Sequence, residues 1–195
     1  MKILIVSILS FISITSASSA HAQCSTTQPV GNLAPLTSLI EERLSLMTDV
    51  ARAKWNTGSA IEDPDREQQL LTGVVSQAQA DGIPSGWAQH FFRLQIEAAK
   101  EVQYCLFARW AAQQQGPFQG VPDLKTEIRP KLDHLTSELL AVLSKEWSAL
   151  QRLGPSEMEK LSNPSGKSTA IQLALLPLRD GSLQSEGVGP ATRPR

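Results

Sequence analysis

The chain has 195 residues, 41% of them hydrophobic and 19% charged, with a formal net charge of -1. That balance excludes a chain drawn to nucleic acid or an anionic membrane by overall charge, so affinity for an anion has to come from a local arrangement of bases.

Residues 1–22 read as a secretory signal. Lys2 is the positive start, Ile3 to Ile14 the apolar run, and Ala20-His21-Ala22 a small-residue cleavage site. The run is too short and too serine-interrupted to span a membrane. The expectation is a soluble protein, periplasmic or secreted, cleaved after Ala22 and beginning at Gln23, with no membrane attachment after cleavage. Gln23 before Cys24 argues against a lipoprotein. Cys24 and Cys105 both stay in the mature chain and enter an oxidising compartment, which leaves a disulfide between them open.

The mature sequence reads as all-α. Strand alternation is absent, and Ala, Leu, Gln, Glu and Arg dominate between the breaks. The pattern predicts a first helix from Pro35 to Trp55, closed by Asn56-Thr57-Gly58, and a second from Pro64 to about Ala80, ended by Asp81-Gly82. The second begins in the charged run "EDPDREQQLL". Asp63 suits the N-cap, Pro64 the first helical position and Asp65 the positive helix end, whereas Arg66 is unfavourable there. A third helix opens at Pro84-Ser85 and runs to about Gln115. After a break at Gly116-Pro117 and Gly120 to Pro122, a fourth runs from Asp123 to about Leu153, with Pro130 giving it a bent or separate first turn. Beyond Gly154-Pro155 the pattern weakens. Ala170 to Leu178 suits one short packed segment, and Asp180 to Arg195, rich in Gly, Ser and Pro, reads as a disordered tail. The expected organisation is a signal over 1–22, a helical domain over 23–154 and a partly disordered extension over 155–195.

The apolar stripes of these helices carry charges. In the first, Leu36, Ile40, Arg43, Met47, Val50 and Lys54 share a face, with the two bases about 16 Å apart along the axis. In the third, Ala99 and Gln103 interrupt Phe92, Ile96, Leu106 and Trp110; in the fourth, Arg129 precedes Leu132, Leu139 and Leu143. Any one such base is explained by snorkelling along the core edge. Several cations facing one bundle interior, with too few acids beside them, repel unless an anion sits among them. A polar pocket inside a helical bundle is where such an anion binds.

Arg43, Lys54, the Asp63-Pro64-Asp65-Arg66-Glu67 run and the Ala99/Gln103 pair have the order and spacing of the all-α chorismate mutases. With the signal segment and the stretch "DLKTEIRPKLDHLT", the chain resembles the exported subclass of that family over roughly residues 33–145. The resemblance implies a helical bundle with long helices that rearranges chorismate to prephenate, a unimolecular pericyclic shift needing no nucleophile, metal or cofactor. His90 and His134 fall on different predicted helices without a ligand cluster, which fits that chemistry. The resemblance further implies that Arg43 and Arg129 grip substrate carboxylates and that Lys54 and Gln103 donate to the ether oxygen. Glu67 would hold the ring hydroxyl with help from backbone near Asp63, and Arg66 would add positive field beside a carboxylate. It also implies a homodimer in which each active site lies within one chain, because Arg129 stands in for an arginine that the cytosolic subclass takes from its partner. Two departures stand out. Ala99 replaces the Ser or Thr of many relatives, removing a hydroxyl contact. Gln103 replaces the Glu of some, and an amide donates at any pH, so activity is expected to be nearly flat from about pH 5 to 8.

The nearest alternative is an isochorismate pyruvate lyase on the same scaffold, which needs a similar cationic pocket. A non-catalytic exported binding protein or effector would have no reason to keep the ether-oxygen donors. "NPSGKSTAI", residues 163 to 171, imitates a phosphate loop, but Leu161 stands where the pattern needs Gly and no strand precedes it. Trp55, Trp87, Trp110 and Trp147 read as core or interface fillers. Arg52 and Lys100 read as rim or solvated residues, with Arg52 a supporting charge for the site.

Overall fold

A computed structural model describes residues 34–152 and 168–178. The signal segment with its cleavage site, Cys24, residues 163–167 of the phosphate-loop imitation and the 180–195 tail lie outside the described residues. Among the described residues the order is α1 (Ala34–Ser45), α2 (Met47–Thr57), α3 (Pro64–Ala80), α4 (Ser85–Ala112), a π turn (Leu124–Ile128), α5 (Arg129–Leu150), α6 (Thr169–Ala174) and a 3-10 turn (Leu176–Leu178). The fold is all-α, with no strand among these residues. None of the described helices is long and apolar enough to cross a membrane.

The first helix departs from its expected course. The span Pro35 to Trp55 is divided at Leu46, although Leu46 itself keeps helical dihedrals (φ -64, ψ -17). Ser45 Oγ donates to the Glu42 carbonyl at 2.7 Å, the same oxygen that receives the Leu46 N–H at 3.3 Å. A hydroxyl competing for a ladder carbonyl weakens the helix locally. The stripe survives the joint: Leu36, Ile40, Arg43, Met47, Val50 and Lys54 are all buried. At its far end α2 stops at Gly58, whose φ of 64 is a left-handed conformation that glycine adopts without a Cβ clash.

The charged run starts α3 as expected. Asp63 Oδ1 accepts the Arg66 N–H at 3.3 Å, and Glu67 Oε1 accepts the Asp63 N–H at 3.5 Å. The last long helix has the separate first turn that Pro130 demands. Asp123 caps it by accepting from the Lys125 and Thr126 N–H groups. The turn is then widened: the Ile128 N–H reaches back five residues to the Asp123 carbonyl, and that of Arg129 to Leu124. Pro130 has no N–H, and its ring clashes with a carbonyl four residues back in a regular α-helix. A π turn accommodates that ring.

Helix α4 is the spine, with α2, α3 and α6 packed along it, while α5 lies against α1 and α3. Its stripe Phe92, Ile96, Ala99, Gln103, Leu106 and Trp110 is wholly buried. Trp87 stacks with Phe91 and meets Trp147 edge-on. Trp55 and Trp110 form a second cluster with Phe107 and Phe118. Near the C-terminus, Ala170, Ile171, Ala174, Leu175 and Leu178 join the main core, and the fully buried Gln95 donates from Nε2 to the Ala174 carbonyl at 2.7 Å. The short packed segment read at Ala170 to Leu178 is therefore a clamp on α4. Cys105 is disulfide-bonded, and Cys24 is the other cysteine of the chain.

Candidate active site

A cavity of about 100 Å³ opens between the first four helices and the start of α5. Arg43, Lys54, Asp63, Arg66, Glu67, Ala99, Gln103 and Arg129 all line it, together with Lys100 and an apolar wall of Met47, Val50, Ile61, Leu70, Ile96, Leu124 and Leu132. All eight residues singled out from the sequence thus meet at one cavity within one chain. The lining holds five cations, Arg43, Lys54, Arg66, Lys100 and Arg129, against the carboxylates of Asp63 and Glu67. A chain with a net charge of -1 has concentrated an excess of positive charge here.

Arg43 is the extreme case. It is 4% exposed, and its Nε and Nη1 have no protein partner. Burial pushes its guanidinium down to about 10; the neighbouring Arg66 lowers it too, and Asp133 opposes both. Snorkelling does not describe it, because its head is not in water. Lys54 is 7% exposed and donates from Nζ to the Ile61 carbonyl. Burial holds this ammonium below its ordinary value, with Asp63 opposing that and Arg129 adding to it. Gln103 donates from Nε2 to the Ala99 carbonyl at 3.0 Å and lies 3.8 Å from Met47 Sδ, while its buried Oε1 has no partner.

Two crossed ion pairs join α3 to α5. Arg129 Nη2 donates to Asp63 Oδ2 at 2.5 Å, and Arg66 Nη2 donates to Asp133 Oδ1. Asp63, expected to help through backbone, therefore also engages Arg129 through its side chain. Lys100 corrects the sequence reading. It was expected on a rim or solvated face; instead its ammonium lies 2.7 Å from Glu97 and 3.6 Å from Glu67 in the cavity wall. Burial lowers Lys100, but the Glu97 bond and the charges of Glu67 and Glu97 outweigh it and hold the group above its ordinary value. Lys100 lies off the α4 stripe, so periodicity could not reveal it; the i,i+3 pairing with Glu97 was the available signal. Arg52 stays outside the cavity lining, paired with Asp49 at 3.4 Å and set over the Phe118 ring. His90 and His134 lie on α4 and α5, and no described group of His, Cys, Asp or Glu is arranged to hold a metal ion.

Buried donors with a cationic excess and few competing acids suit a compact dianion. The chorismate mutase type II family model matches residues 34–104. The secreted chorismate mutase of Mycolicibacterium smegmatis is 34% identical over 130 residues, 67% of this chain and 70% of that protein. The chain belongs to the chorismate mutase family. The secreted chorismate mutase of Yersinia pestis is 32% identical over 131 residues, 67% of this chain and 66% of its own length. Among solved structures, chorismate mutase from Burkholderia thailandensis superposes with a TM-score of 0.61 at 37% identity, covering 73% of this chain and 93% of that one. The likeness to that structure covers the all-α fold. The family match ends before Arg129, so Arg129 rests on its place in this cavity.

Proposed function

We propose that this chorismate mutase family member converts chorismate to prephenate. The observation that carries the reading is Arg43: a buried guanidinium with two unpartnered nitrogens, facing a cavity it shares with Lys54 and Gln103. A buried cation without a protein anion is satisfied by an anionic ligand.

In this reading Arg43 and Arg129 bind the substrate carboxylates and fold the flexible dianion into a compact chair. Selecting that conformer removes part of the barrier before any bond changes. Lys54 and Gln103 then donate to the ether oxygen as its bond to the ring breaks and negative charge develops there. Donors that are buried and fixed in place are effective because they need not reorganise during the reaction. A modest enzymatic acceleration requires lowering the barrier by roughly 8 kcal/mol, within the reach of several charge-assisted hydrogen bonds acting together. Glu67 accepts from the ring hydroxyl, and Arg66 strengthens the positive field at a carboxylate. The secreted relatives support export, so periplasmic or secreted placement after cleavage at Ala22 belongs to the reading. A homodimer is part of it as well, with each site completed by its own Arg129. So is the division into signal 1–22, mutase domain 23–154 and extension 155–195.

The test is to incubate the mature chain, from Gln23 onward, with chorismate and follow its ultraviolet absorbance beside Lys54→Ala. Wild type should form prephenate, and the folded variant should lose about a hundredfold or more in kcat. A well-folded wild type that leaves chorismate untouched would overturn the reading, and pyruvate released from isochorismate would transfer it to the lyase.

A further inference from the structure

The starts of α3 and α5 mirror each other. Asp63 caps α3 and Arg66 follows three residues later; Arg129 opens α5 and Asp133 follows four residues later. Each arginine meets the acid of the opposite helix: Arg129 with Asp63, and Arg66 with Asp133. Both arginines and Asp63 line the cavity, whereas Asp133 does not. The one member that does not face the cavity therefore holds one that does.

We infer that Asp133 is a positioning residue for the reaction, fixing the Arg66 guanidinium at the cavity wall through the Arg66–Asp133 pair so that it meets a substrate carboxylate already oriented. This rests on the chorismate mutase reading above. Stability is a poor account of the pair. The Asp133 side chain is 55% exposed, and an ion pair open to water contributes little to folding. Orientation is a better one. Arginine is long and loses much rotamer freedom when it is fixed, so holding it beforehand removes that loss from the binding step. The guanidinium also has donors to spare: Asp133 engages Nη2, and Nε and Nη1 remain for other acceptors. Arg43 gives a second reason. Arg66 lies close enough to act against its charge while Asp133 acts in favour, so Asp133 lets two arginines share one wall.

Removing Asp133 has an opposing effect, since one fewer acid near the cavity favours a dianion. That attraction crosses a water-screened rim and is worth less than about twofold in affinity. A binding group displaced by about 1 Å can cost up to a hundredfold in rate. Loss of position therefore outweighs relief of repulsion.

The experiment compares wild type, Asp133→Ala, Asp133→Asn, Arg66→Ala and the Asp133→Ala/Arg66→Ala double variant, in chorismate kinetics and in melting temperature. Asp133→Ala should keep its Tm and lose about tenfold in kcat/KM, while Asp133→Asn, which retains an acceptor oxygen, should lose about threefold. In the Arg66→Ala background the Asp133→Ala change should have less than about a twofold further effect, because the two residues act as a unit. Wild-type kinetics in Asp133→Ala, faster kinetics, or an undiminished loss in the Arg66→Ala background would each overturn the inference. Calorimetric binding of prephenate reads the pair without turnover and should weaken in the same order. If wild type binds prephenate but does not turn chorismate over, the functional reading fails while the inference is still decided by that order. If wild type does not bind prephenate, both fail.

Discussion

Arg43 holds a guanidinium out of water with two of its nitrogens unpartnered by protein. Its pKa of about 10 lies below the ordinary arginine value, so at neutral pH the charged form is disfavoured by folding. A base lowered in this way costs stability at every pH below the folded value, and the cost fades only as pH rises from there toward the unfolded one. The apolar, similarly long Arg43→Met should therefore stabilise the fold by about 1–3 kcal/mol, seen as a Tm raised by about 3–10 °C. The same change should cost about a hundredfold or more in kcat/KM. Thermal melts beside chorismate kinetics check both halves, and a lowered Tm would mean the protein satisfies Arg43 without a ligand. That Arg43, Lys54 and Gln103 interrupt apolar stripes was plain from spacing. That they are buried was not, because a long polar side chain on a stripe reaches water at the core edge as readily as it sinks.

Among the elements, the crossover between α4 and α5 shows how a loop delivers a site residue. Asn56, at the end of α2, donates from Nδ2 to the Phe118 carbonyl at 2.9 Å and accepts the Phe118 N–H at 2.8 Å, while Trp55 Nε1 donates to the Gln115 carbonyl at 3.2 Å. These bonds tie the crossover to the helix that carries Lys54. The capped π turn then sets Arg129 at the cavity. Asn56→Ala removes two bonds at an exposed position and should cost about 1 kcal/mol of stability. It should also reduce kcat/KM about threefold through Arg129, mainly by raising KM, since that residue is proposed to bind substrate. Unchanged kinetics with lowered stability would mean that α5 and the Asp63 pair place Arg129 unaided. Pro130 announced a disturbed first turn; the π form it takes depends on the Asp123 cap and on what α5 packs against.

Across the whole molecule, α4 serves two purposes along its length. Gln95 ties it to α6, and Ile96, Ala99, Lys100 and Gln103 face the cavity. Ile171, Leu175 and Leu178 are each 1% exposed, and burying three such side chains is worth roughly 5 kcal/mol or more before the entropy of ordering the segment is subtracted. A mature chain ending at Arg152 also leaves the Gln95 amide without its acceptor. It should melt at least about 5 °C lower than the full chain yet retain turnover at low temperature, because the cavity lining ends at Leu132. An unchanged Tm would show that the clamp contributes nothing to folding.

The sequence by itself determined the helical class, the breaks that Gly and Pro mark, and the charged positions on the apolar stripes. These follow from local rules: periodicity, capping, and the refusal of Gly and Pro to continue a helix. Tertiary structure decided the partners. Asp133 and Lys100 look like surface residues along the chain, and only the approach of α5 to α3 and of α3 to α4 turns them toward Arg66 and Glu67. The division of the first helix falls at Leu46, where Ser45 Oγ shares the Glu42 carbonyl with the Leu46 N–H. The seat of Ala170 to Leu178 on α4 depended on surface left open by the other helices. Helical periodicity is a property of neighbours in sequence and can be read from one strand of text. An ion pair between residues 67 positions apart is a property of packing, and appears only when the helices are assembled.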